Sequence, residues 1–203
     1  VTGLRGTASN HLSIRAEDDI VVHESMSFNH LRDPPRRPGQ RYAYTGLAHS
    51  MIPAVSVGIA RGAVEDAEAI CGAKKDRYGG PSMAVNPYVQ SSLGQAAAKA
   101  DAAGCLLHSA IDEAWAAAER GRPNDAIRAR VRAACTFAVE AGGEATAHAR
   151  NAVGSTGIYE TCPIEQRFRD ASTAATHIAH RPSTYTDAGA LRLGTYGSPL
   201  AIF

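Results

Sequence analysis

Aromatic side chains are scarce in this sequence: they make up 6% of 203 residues, with a single Trp. A core without large rings cannot be thick, and 39 alanines point instead to helices that approach one another closely. An excess of either charge is also missing. The formal net charge is +1, which argues against electrostatic attraction to nucleic acid or to an anionic membrane. No apolar run approaches the ~18 residues of a membrane span. The four cysteines (Cys71, Cys105, Cys135 and Cys162) include no Cys-x-x-Cys pair. That pattern predicts buried free thiols in a reducing compartment, the cytoplasm. No charged-then-apolar leader opens the chain, so no signal peptide is expected. The first residue is Val rather than Met, which leaves open a fragment or a processed product.

The first 30 residues carry no helical pattern. Residues 1–10 are glycine- and threonine-rich. Leu12, Ile14 and Ala16 alternate with Ser13 and Arg15, and Ile20, Val21 and Val22 form a β-branched run after an acidic turn. The pattern predicts two short strands, which need further strands to build a dry core. Residues 31–41 hold three prolines among four arginines, which forbids regular structure. A linker is therefore expected over residues 31–43. It divides a β remnant (1–30) from the remainder (44–203).

From Tyr44 the period becomes helical. Leu47, Met51, Val55, Ile59 and Val64 predict one apolar face of a helix over about 45–73, with Pro53 marking a kink or a late start. Gly79-Gly80-Pro81 marks a loop. The next helix is expected from Pro87 to about 120, with Val89, Leu93, Ala97, Ala100, Leu107 and Ile111 as its stripe. Asn124 caps a third helix over about 125–153. Gly142-Gly143 interrupts it, and close packing or a bend must offset the poor helix propensity of the pair. Shorter helices are expected to start at Pro163 and Pro182. The fold class is mainly α: an antiparallel bundle with a short N-terminal β remnant.

The clearest stretch runs from Gly154 to His177. Gly154-Ser-Thr-Gly157 reads as the stop of the long third helix, and Pro163 opens the next one. Glu165 lies in its first turn, where a carboxylate suits the helix dipole. Arg169 and Asp170 read as a structural ion pair. His177 follows two turns after Asp170, near the expected helix end. His180 lies three residues further and could exchange roles with it. The two could also start a metal site, but no third ligand is near them in sequence.

These residues carry a resemblance. Gly154 to Asp170 resembles the last domain of the acyl-CoA dehydrogenase superfamily, with its glycine turn, its Pro-Ile-Glu helix start and its Arg-Asp pair. The opening Gly3-Leu-Arg-Gly-Thr-Ala-Ser-Asn10 and the paired strands look like the end of that family's middle β domain. The helices after them resemble its C-terminal bundle. Asn151 stands where the family carries glutamine, and the loop Lys74 to Gly79 matches the family's pyrophosphate signature only loosely. Within the superfamily, the opening stretch and the histidine look most like the flavin-dependent monooxygenase branch.

The resemblance implies an oxygenase component that uses reduced FMN or FAD, supplied by a separate flavin reductase, and O₂ to hydroxylate a small aromatic or amine substrate. His177 would be the catalytic imidazole that orients or deprotonates the substrate, since such a group titrates near neutral pH. His180 would be a substrate contact. Arg77, Gly154, Ser155 and Gly157 would meet the flavin's phosphate or ADP moiety, with the glycine turn serving a neighbouring subunit of a homotetramer. Ser9 has no local base and is not expected to act as a nucleophile. Two other functions compete. An FAD-dependent acyl-CoA dehydrogenase would place a base Glu near position 177, where this chain has His. A stand-alone bundle acting as a partner subunit would need no flavin.

Overall fold

The structure, a computed structural model, describes residues 13–15, 19–27, 44–75, 79–122 and 124–197. Helix α1 spans Tyr44–Ala73, α2 Pro87–Glu119, α3 Asp125–Val153, α4 Pro163–Ala174 and α5 Ser183–Arg192. The antiparallel bundle expected from the periodicity is present. Helix α3 lies at its centre and packs against the other four.

Local chemistry sets the helix boundaries. Asn86 Oδ1 accepts the Tyr88 N–H at 2.9 Å, one residue ahead of Pro87 at the first helical position. Asn124 Oδ1 accepts the Ile127 N–H at 3.0 Å and starts α3. Pro163 opens α4. Helix α1 runs through the buried Pro53 instead of starting after it, and gives up one backbone hydrogen bond there.

The core of α1 is not on the face that the large apolar residues indicate. Met51 and Val55 are 61% and 60% exposed, and Ile59 and Val64 are only partly buried. The buried face is Val57, Ala60, Ala63, Ala67 and Cys71. Small side chains let α1 approach α2 and α3 closely, so the bulkier residues turn outward. The side chain of Leu47 lies outside the described residues. On α2 the expected stripe fits better: Val89, Ala100 and Leu107 are buried, and Leu93, Ala97 and Ile111 are partly so. Helix α3 continues unbroken through Gly142 and Gly143. Gly142 is buried against α1, while Gly143 faces open space.

Two further expectations need correction. No strand occurs among the described residues. Ile14, Ile20, Val21 and Val22 are exposed, and a 3₁₀ turn at Glu24–Met26 is the described regular element before α1. A β-branched run without a neighbouring strand has no ladder to join, so its propensity alone does not order it. The rest of the first run and the linker 31–43 lie outside the described residues. The second correction concerns the thiols. Cys71, Cys135 and Cys162 are buried and free as expected, but Cys105 is free and exposed on α2. Burial pushes the Cys135 thiol up to about 12. Among the described residues, no helix is long and apolar enough to cross a membrane.

Candidate functional site

Helix α3 ends at Gly154, whose φ of 63° and ψ of −140° favour glycine. Its N–H donates back to the carbonyls of Arg150 and Asn151. A 3₁₀ turn over Gly154–Ile158 follows. Lys74, which the sequence pattern leaves as part of a solvated loop, closes this helix end. Its ammonium donates to the Val153 carbonyl at 3.0 Å and to Thr156 Oγ1 at 2.9 Å. The carbonyls there carry the negative end of the helix dipole, which suits a cation.

The predicted flavin contacts therefore differ in character. Gly154 and Ser155 are exposed, and a Cβ built at 154 would meet no atom within 4 Å beyond its chain neighbours among the described residues. Gly157 is buried, and a Cβ there would come within 3.0 Å of Val153 Cγ2 and 3.1 Å of Arg150 Cγ. Its lack of a side chain serves the packing of the turn. Arg77 lies outside the described residues.

Helix α4 is tied down by ion pairs. Arg169 Nε donates to Glu165 Oε1 at 2.6 Å, one turn back, so a structural pair forms with the first-turn carboxylate. Arg167 reaches α1 and bonds Asp66 at 2.5 Å, its guanidinium lying over Gly62. The Arg150 guanidinium stacks on the Phe168 ring at 4.4 Å.

Helix α4 ends at Ala174 and does not extend to His177 as expected. The hydroxyls of Ser172, Thr173 and Thr176 donate to the carbonyls of Phe168, Arg169 and Thr173. Such bonds compete with the helix ladder and weaken its last turn. His177 instead caps a 3₁₀ turn over Ile178–His180, its Nδ1 accepting the Ala179 N–H at 3.2 Å. That bond places the proton of the neutral ring on Nε2. His177 is exposed. His180 is its opposite: 4% exposed, with both ring nitrogens buried and lacking a hydrogen-bond partner among the described residues. The two ring centroids are 5.5 Å apart. Burial, with repulsion from His177 and from His49 of α1, lowers the pKa of His180 to about 4. At neutral pH it is an uncharged imidazole with one free donor and one free acceptor.

The structure thus brings His177 and His180 together and adds the influence of His49, a residue that belongs to no recognisable motif. The segment that follows the histidines is anchored on α3 well before the glycine turn. Just after His180, Tyr185 donates to Glu140 of α3 at 2.7 Å. Glu140 precedes Gly154 by about 14 residues on one continuous helix, or ~21 Å at the α-helical rise. Among the described residues, no three His, Cys, Asp or Glu side chains cluster to hold a metal ion.

Residues 50–182, which include the glycine turn and both histidines, match the family described as acyl-CoA dehydrogenase, C-terminal domain. The chain belongs to the acyl-CoA dehydrogenase family. Over 97% of its length it is 28% identical to indole-3-acetate monooxygenase of Pseudomonas putida, of which it covers 50%. It is 27% identical to the oxygenase component of an FADH2-dependent resorcinol hydroxylase from a Rhizobium species, with 88% of this chain and 48% of the relative covered. The chain spans about half the length of the curated relatives it matches. Among solved structures, XiaF from a Streptomyces species, in complex with FADH2 and glycerol, superposes with a TM-score of 0.74 at 22% identity. That match covers 81% of this chain and 42% of XiaF. It shows a shared helical fold, and the family match over residues 50–182 identifies the bundle as the acyl-CoA dehydrogenase C-terminal type.

Proposed function

We propose that this chain is the C-terminal half of the oxygenase component of a two-component flavin-dependent monooxygenase. In this reading, residues 1–30 end a β domain, 31–43 link it to the bundle, and the whole protein works in the cytoplasm as a homotetramer. A flavin reductase is its partner, and the substrate is a small aromatic or amine compound. Similarity to an indole-3-acetate monooxygenase, to the oxygenase component of an FADH2-dependent hydroxylase and to XiaF with FADH2 supports the activity class and the reduced flavin. One observation carries the site assignment: the buried His180 ring keeps two nitrogens without a partner inside a domain of this family. An unsatisfied buried polar group costs about 1–3 kcal/mol, so a ligand that satisfies it gains correspondingly.

The residues present fit such a ligand. His180 is neutral at pH 7 and can accept a hydrogen bond from a phenol or amine, fixing its orientation. His177 stands beside it with Nε2–H free of the turn, so this exposed N–H can donate a hydrogen bond to the substrate and orient it. Gly154 and Ser155 offer an open surface to the phosphate or ADP end of FMN or FAD, most simply from a neighbouring subunit, because the segment after the histidines is anchored at Glu140, ~21 Å along α3 from the turn. Gly157 packs this turn, and Arg77 is a candidate phosphate ligand. When bound, reduced flavin supplies the electrons that activate O₂.

The test uses the full-length protein with its reductase, NADH or NADPH, flavin and a panel of aromatic substrates that includes indole-3-acetate and resorcinol. Product one oxygen heavier, formed only with both reduced flavin and O₂, is expected. His177→Ala and His180→Ala should each reduce kcat by about 100-fold or more. Parent turnover in both variants overturns the site assignment, and absence of flavin-dependent oxygenation across the panel counts against the activity.

A further inference from the structure

Helix α5 is attached to the bundle in an unusual way. Thr184 is its one buried residue, so apolar burial contributes little to holding it. It meets α3 through three side-chain couples. Arg132 pairs with Asp187 at 3.0 Å, Thr136 shares a hydrogen bond with Thr184 at 2.8 Å, and Glu140 accepts from Tyr185 at 2.7 Å. Residues 132, 136 and 140 lie four apart, so they form one row along α3. The central rung is fully buried. A ten-residue helix is too short to persist alone, so these rungs decide whether α5 is formed.

The helix is also rigidly joined to the histidines. Only Arg181 and Pro182 separate His180 from α5, and proline fixes its own backbone φ. Successive turn bonds run from the His180 N–H to the His177 carbonyl, from Thr184 to Arg181 and from Tyr185 to Pro182. Displacement of α5 therefore moves the histidine turn with it.

We infer that Arg132, Thr136 and Glu140 are positioning residues: their row on α3 docks α5 and thereby keeps the His177–His180 turn seated against the bundle. Release of this one segment uncovers His180 while α1–α4 stay folded. The mechanical claim stands on the contacts above, and its consequence for turnover rests on the functional reading.

The experiment uses the full-length protein, with amide hydrogen exchange followed by peptide mass spectrometry and with diethyl pyrocarbonate labelling of histidines. In the parent, His177 labels readily and His180 is protected. Thr136→Val and Glu140→Ala should speed exchange in α5 at least tenfold and expose His180 to labelling, with α1–α4 exchanging as in the parent. Thr136→Ser and Glu140→Gln, which keep a hydroxyl or an acceptor, should restore protection. Unchanged protection of α5 and His180 in both disruptive variants overturns the inference. So does loss of protection in all five helices together, because the row would then be part of the global core. If α5 and His180 respond as expected while turnover does not change, the positioning claim stands and the functional reading of the histidines fails.

Discussion

A Cβ at residue 142 would lie 3.1 Å from the carbonyl oxygen of Ser56, so Gly142 of α3 rests directly on the backbone of α1. The next residue, Gly143, would meet nothing within 4 Å. Adjacent glycines in one helix thus have opposite reasons to be there. Gly142→Ala should destabilise the fold by about 1–3 kcal/mol, because a backbone carbonyl cannot move aside cheaply. Gly143→Ala should stabilise it by up to ~1 kcal/mol through helix propensity. Urea unfolding midpoints compare the two, and equal shifts in the same direction would refute this account of the contact.

Lys74 is predicted to hold the C-terminal end of α3. Its ammonium satisfies the Val153 carbonyl and Thr156 Oγ1 at the negative end of the helix. Lys74→Met keeps the aliphatic stem and removes both bonds. A loss of about 1–2 kcal/mol is expected, with faster amide exchange over residues 154–158. Parent-like exchange there would show that the turn closes without the lysine.

Acid should weaken the fold through His180. Its pKa lies near 6.5 in an unfolded chain and falls to about 4 when the ring is buried. Above pH 6.5 the ring is neutral in both states and its stability contribution is intact. As the pH falls from 6.5 towards 4, the unfolded chain takes up a proton that the folded chain refuses, and stability declines. The full loss is no more than about 3 kcal/mol. Between pH 7.5 and 4 the unfolding free energy of the parent should fall relative to that of His180→Phe as the pH drops, whatever the difference at pH 7.5. Parallel curves would remove His180 from the acid response.

Much of the bundle was legible in the sequence. Asn86, Pro87, Asn124 and Pro163 act through neighbouring backbone groups only, so α2, α3 and α4 begin where local chemistry places them. Gly154 stops α3 for the same local reason. Which side of α1 faces inward was not legible. Hydrophobicity favours burying Met51 and Val55, but the space between α1, α2 and α3 admits Ala60, Ala63 and Ala67. That choice depends on the distance between helices, which no single segment encodes.

The site divides in the same way. The sequence by itself determined that a glycine turn, a proline-led helix and two histidines follow one another, since each is a short-range feature of the chain. Only the tertiary structure decided that His180 and not His177 is the buried ring, that His49 approaches from α1, and that the row on α3 fixes the turn through α5. Burial, and with it the lowered pKa of His180, arises from side chains far apart along the chain. Their effect exists only once packing has excluded water from between them.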